Sequence, residues 1–67
     1  MKINQIIREK RKALSLTQEQ VAQVLGTSQT MYARYERGAN ELPIHHLITL
    51  CEYYQVSADY LLGLSDQ

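Results

Sequence analysis

Residues 17–36 read TQEQVAQVLGTSQTMYARYE, and this stretch decides the fold. Two short helical patterns meet at Leu25-Gly26-Thr27. Thr17 begins the first: its hydroxyl can accept a hydrogen bond from an orphan backbone N–H, and Gln20, three residues on, can reach back. Val21, Ala22 and Leu25 then fall on one helical face. Gly26 takes a left-handed conformation cheaply and stops the helix, and Ser28 caps the next. A connection of about three residues fixes two helices at a steep angle.

The second pattern, residues 28–37, has two chemically different sides. At about 100° per residue, Gln29, Thr30, Ala33, Arg34 and Arg37 share a sector of roughly 140°. Tyr32 and Tyr35 lie opposite, with Met31 beside them, and read as core rather than as a stacking platform for single strands. The first sector offers an amide, a hydroxyl, a gap at Ala33 and cations. Gln can pair with adenine in the major groove, Arg with guanine or phosphate, and the Thr methyl can touch thymine.

Outward from this centre the chain reads as helices throughout, with no repeats or strands. Ile3, Ile6, Ile7 and Leu14 predict a buried face for a first helix over 2–14. The second and third helices are expected at 18–25 and 29–37. Gly38 ends the third, and 39–42 form a loop. Pro43 opens a fourth helix at its first position, with Ile44, Leu47, Leu50, Cys51 and Tyr54 as its buried stripe. Gln55-Val56 turns the chain, Ser57 caps a fifth helix through Leu62, and Gly63 closes it. The tail 64–67 is expected to be loose. Tyr53, Tyr54 and Tyr60 read as structural. Helices this short do not stand alone in water, so each contributes an apolar stripe to a shared core. The expected class is all-α, with five helices in one domain over 1–67.

The chain has 67 residues and 45% hydrophobic content, enough for one small core. One cysteine makes no internal disulfide, and no signal peptide or spanning segment is visible, which points to a reducing cytoplasm. Formal net charge is +0, but residues 1–12 carry +4, 13–38 balance, and 39–67 carry −4. That asymmetry favours an anionic partner for one end of the molecule. His45 and His46 point to different sides of a helix and Cys51 does not chelate with either, so no metal is expected. No nucleophile with base and orienting partner, no phosphate-cradling loop and no paired carboxylates appear, so no enzyme and no cofactor are expected.

Thr17-Gln18, Ala22, Leu25-Gly26-Thr27-Ser28 and Tyr35-Glu36-Arg37-Gly38 resemble the helix-turn-helix of the phage-repressor-like (Cro/repressor, XRE-type) regulators. So do Arg8-Glu9 with Arg11 upstream, and Val56-Ser57 with Asp59-Tyr60-Leu61-Leu62-Gly63 downstream. The resemblance covers nearly the whole chain and implies a compact lambda-repressor-like domain whose helix-turn-helix occupies about 17–36. It implies a transcriptional regulator, more often a repressor, binding double-stranded DNA. Two chains would sit on a palindromic operator with the third helix in the major groove. It makes Gln18 a phosphate and base-edge neighbour, Gln29 and Thr30 the principal base readers, and Thr27 and Ser28 contacts at the head of the third helix. Ala33 and Arg34 share the reading face, and Asn40 is a candidate phosphate donor. Arg11 and Glu36 match a pair joining the first helix to the end of the third. The family is usually aliphatic where Tyr32 and Tyr35 stand, so packing slightly different from the family's is expected.

Leu62 and Leu64 are the best exposed apolar residues for a homodimer. Met1 and the short tail point to a complete chain with no room for a sensing domain. Two other functions fit the sequence. One is an antitoxin-like interaction module with a protein partner on the acidic half. The other is a small activating controller that touches polymerase through Glu19.

Overall fold

The computed structural model describes residues 3–65. Helices α1 (Ile3–Ala13), α2 (Gln18–Leu25), α3 (Gln29–Glu36), α4 (Ile44–Tyr54) and α5 (Ala58–Leu61) follow one another, with no strand among the described residues. The longest span 11 residues, below the length at which an isolated helix holds in water. All five therefore depend on one core. Ile7 comes from α1, Val21, Ala22 and Leu25 from α2, Tyr32 and Tyr35 from α3, Leu50 and Tyr54 from α4, and Leu61 from α5. No helix of the described residues is long and apolar enough to cross a membrane.

Three helix starts carry the caps that their local sequence signals predict. Thr17 Oγ1 accepts from the Gln20 N–H at 3.0 Å while Gln20 Oε1 accepts from the Thr17 N–H at 2.8 Å. Ser28 and Ser57 cap α3 and α5 in the same way, each accepting at 3.0 Å from the N–H three residues on.

Several expectations are corrected. Leu14 is not on a buried face but is 49% exposed, because α1 stops at Ala13 and Ser15 turns the chain with φ 59. Arg37 and Leu62 cap α3 and α5 rather than lying inside them. Pro43 is the extended residue before α4, not its first helical residue. Ile44 is 75% exposed, because the buried face of α4 runs through His46, Leu50 and Tyr54, with Leu47 and Cys51 flanking. Tyr53 is 45% exposed and only leans on Tyr54. His45 and His46 differ in burial as their spacing requires, yet their rings lie 4.2 Å apart, with His46 edge-on to Tyr35. The expected helix start at residue 2 and the tail's Asp66 and Gln67 lie outside the described residues.

One buried ion pair crosses the core. Glu36 closes α3 with its side chain 3% exposed, and Arg11 reaches it from α1 with 12% exposed. Arg11 Nε donates to Glu36 Oε2 at 2.6 Å and Arg11 Nη2 to Oε1 at 3.1 Å, while Nη1 donates to the Leu16 carbonyl at 2.8 Å. One guanidinium thus ties α1, the α1–α2 connection and α3 together through a bidentate fork. The Tyr32 hydroxyl lies beside the carboxylate without closing a hydrogen bond of good geometry. Burial pushes the Glu36 carboxyl up, but the Arg11 guanidinium, the Tyr32 hydroxyl and the Gln18 amide outweigh it and hold the group below its ordinary range. Burial raises the Tyr54 phenol to about 12 and lowers His46, with the His45 charge adding to the latter.

Removing one member of the pair strands a buried charge. We expect Glu36→Ala to cost about 3–5 kcal/mol, which lowers Tm by more than about 10 °C in a domain of this size. Arg11→Met with Glu36→Leu should cost less than either single change; strictly additive losses in thermal denaturation would contradict the pairing. Acid should act in two stages. Both His46 and Glu36 have folded pKa values below their unfolded ones, so the unfolded chain binds more protons and stability rises with pH. The His46 share is present above about pH 6.5 and is lost as pH falls from there through its lower folded value. The Glu36 share is lost only on falling below about pH 4.3. His46→Phe should flatten the first stage and leave the second, as read by urea midpoints across pH.

Candidate nucleic-acid interface

Two local devices set the angle between α2 and α3. Gly26 adopts φ 73, its N–H donates to the Gln23 carbonyl at 3.1 Å, and the Thr27 N–H donates to the Ala22 carbonyl at 3.0 Å. This pair of bonds closes α2 in a Schellman motif. Extended Ser28 then starts α3. Between them lie only Gly26, Thr27 and Ser28, and Thr27 is half-buried in the turn.

Tyr32, Tyr35 and Glu36 of α3 are buried, with Tyr32 and Tyr35 meeting edge to face at 6.5 Å between ring centroids. Gln29, Thr30 and Arg34 are exposed and Ala33 is half-exposed, in a sector turned away from the two tyrosines. The helix therefore presents the polar sector that its periodicity predicted.

The sequence did not reveal how these side chains are held. Gln18 Nε2 donates to Glu36 Oε1 at 3.0 Å, and Gln29 Nε2 donates to Gln18 Oε1 at 2.7 Å. A chain of hydrogen bonds thus runs from Arg11 through Glu36 and Gln18 to Gln29 on the outer face. The relay takes one Nε2 hydrogen of Gln18 and its Oε1, and the second Nε2 hydrogen is compatible with the phosphate contact expected of this residue. Its backbone N–H, in the first turn of α2, is among those a helix cannot satisfy internally. Asn40, expected to donate to phosphate, accepts from Arg34 Nε through Oδ1 at 2.6 Å, which leaves its amide nitrogen as the donor. Ser28 Oγ accepts the capping bond, which leaves its hydroxyl proton free to donate.

Arg8 and Arg37, from separate helical segments, line one open cleft of about 310 Å³ with Gln18, Ala33 and Glu36. It lies between α1 and the end of α3 and opens beside the outer face. The Glu36 carboxylate at its base is already engaged by Arg11 and Gln18, so the cleft rim is cationic. The signal in the sequence was the basic first segment, which periodicity alone could not place against α3.

A short helix fixed across a second by a tight turn, with polar side chains outward, defines a helix-turn-helix domain. The helix-turn-helix family model matches residues 7–61, and the chain belongs to that family, in its phage-repressor type. It is 42% identical over 62 residues to YobD, an uncharacterised HTH-type transcriptional regulator of Bacillus subtilis (strain 168); the match covers 92% of this chain and 55% of that protein. It is 35% identical over 63 residues to the cryptic phage CTXphi transcriptional repressor RstR of Vibrio cholerae serotype O1, covering 94% of this chain and 56% of that one. The chain thus spans about half the length of these curated relatives. The crystal structure of the P22 c2 repressor in complex with synthetic operator 9T superposes with a TM-score of 0.86 at 29% identity, covering 97% of this chain and 98% of that chain. Family and fold are those of DNA-binding transcriptional regulators, not of enzymes.

The turn gives a clean test of the helix-turn-helix geometry. A Cβ added at Gly26 meets nothing within 4 Å, so only its left-handed φ opposes a side chain. Gly26→Ala should cost about 1–2 kcal/mol and lower Tm by roughly 5–10 °C. An unchanged Tm would mean that the turn relaxes to another geometry.

Proposed function

We propose that this chain is a sequence-specific double-stranded DNA-binding regulator, a repressor, acting as a homodimer on a palindromic operator with α3 in the major groove. The observation that carries this reading is the division of α3. Gln29, Thr30, Ala33 and Arg34 share an exposed sector, while Tyr32 and Tyr35 anchor the opposite side in the core. The relatives support it: RstR is named a transcriptional repressor, and the P22 c2 repressor was solved with an operator.

Gln29 has the right bonds left over for a base. One Nε2 hydrogen is committed to Gln18. The second can donate to adenine N7 while Oε1 accepts from N6, which is the bidentate adenine pairing. The Thr30 methyl and the clearance at Ala33 suit a neighbouring thymine. The Gln18 N–H at the start of α2, Thr27 beside the turn and the Ser28 hydroxyl set register on phosphates. Arg8 and Arg37 add backbone charge from the cationic cleft.

One such face makes few contacts, so pairing two chains multiplies affinity. Leu62 and Leu64 are 40% and 74% exposed, and Ile44, at 75%, shares with Leu62 an apolar cleft of about 340 Å³. These residues form the dimer surface in this reading, with α3 helices about 34 Å apart on one face of the duplex. The working compartment is the cytoplasm, where the DNA lies.

Selection of bound DNA from a random duplex library near physiological salt, with mass measurement of the enriched complex, tests this. The expected product is a two-fold symmetric site carrying two chains; no enrichment by a folded chain would overturn the reading. On the selected duplex, Arg34→Ala should weaken binding at least tenfold, and a loss under twofold with the fold intact would remove Arg34 from base reading.

A further inference from the structure

We propose that Asn40 is a specificity-determining positioning residue: its side-chain oxygen holds Arg34 so that the terminal nitrogens of the guanidinium read a guanine. The proposal rests on α3 reading duplex DNA, and it names the base and the residue that sets the choice.

A solvent-exposed arginine is among the most mobile side chains, and one free to swing can meet a phosphate, a guanine or water. Arg34 is not free in this way. Its Nε donates to Asn40 Oδ1 at 2.6 Å. Nε has no acceptor capacity, so the amide oxygen, not the amide nitrogen, must face it. The backbone repeats the tie. The N–H groups of Ala39 and Asn40 donate to the Arg34 carbonyl at 2.9 and 3.3 Å. Gly38, at φ 76, makes the reversal that folds residue 40 back over the end of α3. Asn40 is thus anchored to the main chain of the residue whose side chain it holds, and its amide is part of the α3 terminus rather than of a wandering loop.

The consequence follows from the guanidinium fork. With Nε engaged, the remaining donors lie on Nη1 and Nη2, a coplanar pair at the far end of the group. Guanine presents two acceptors, N7 and O6, to such a pair. Adenine replaces one acceptor with the N6 donor and would set donor against donor. Because Asn40 is neutral, it orients Arg34 without cancelling its charge. The amide nitrogen of Asn40 remains a donor for a phosphate, so the residue can serve both duties.

The test uses the full chain and the duplex it selects, with each base pair replaced in turn. The position read by Arg34 is the one whose replacement penalty disappears in Arg34→Ala. At that position Asn40→Ala should reduce the preference for guanine over adenine by roughly tenfold and leave penalties elsewhere unchanged. Asn40→Asp keeps the acceptor and loses the amide donor, so it should retain the guanine preference while total affinity falls. If Asn40→Ala weakens binding equally on every duplex, Asn40 is only a phosphate contact and the proposal falls. If Asn40→Asp and the neutral acceptor variant Asn40→Ser both lose the preference as fully as Asn40→Ala, the acceptor role falls. A wild-type chain that selects no duplex overturns the DNA-reading function itself, an outcome distinct from either. Unchanged circular dichroism and Tm in the Asn40 variants separate these effects from loss of fold.

Discussion

A buried charge must be paired, and in this chain the pair is Arg11 with Glu36. The carboxylate sits at the last turn of α3 with almost no exposure, and the guanidinium arrives from α1. Taking both from water is expensive, so the arrangement holds only if the fork geometry is met and the remaining lone pairs find donors. That requirement fixes α1 against α3 and, through the Leu16 carbonyl, places the entry to α2. It also recruits Gln18, whose amide completes the carboxylate and then receives Gln29. The interaction that secures the core is therefore the inner end of the line of hydrogen bonds that orients a side chain at the surface.

The rest of the molecule serves the same end. Helices of four to eleven residues have no independent stability, and α3 keeps its direction only because α1, α2, α4 and α5 bury a common core behind it. The Schellman closure at Gly26 and the cap at Ser28 remove freedom from the turn. What remains outward is a short helix with an amide, a hydroxyl and a cation already partly oriented, which reduces the ordering that binding must accomplish.

How much of this was legible in the sequence depended on range. Short-range signals carry the capping box of Thr17 and Gln20, the stop at Gly26, the caps at Ser28 and Ser57, and the buried side of α3, but not the first turn of α4, which Pro43 precedes rather than opens. The Arg11–Glu36 contact was legible only through family resemblance, since residues 25 apart carry no local signal of proximity. The stripe of α4 was misplaced at its first turn. Ile44 is apolar and in phase with Leu47, but it lies beyond the edge of the core, and His46 takes the buried position against Tyr35. Hydrophobicity alone could not show that an imidazole would be preferred there over an isoleucine. The partners of Gln18 and Asn40 were missed for a related reason. Each residue type can donate or accept, and only the folded geometry shows which neighbour claims it. The cleft of Arg8 and Arg37 likewise joins residues from two helices whose crossing the sequence does not specify.

A crystal structure of the chain on its selected duplex tests at once whether the outer side of α3 reads the bases and whether the buried pair orients it. Gln29, Thr30, Ala33 and Arg34 are expected within about 4 Å of base edges in the major groove, with Gln18 still bridging Gln29 to Glu36 and Arg11 still closed on the carboxylate. A complex in which another surface meets the DNA, or in which Gln29 meets its base with the Gln18 bridge broken, would contradict this arrangement.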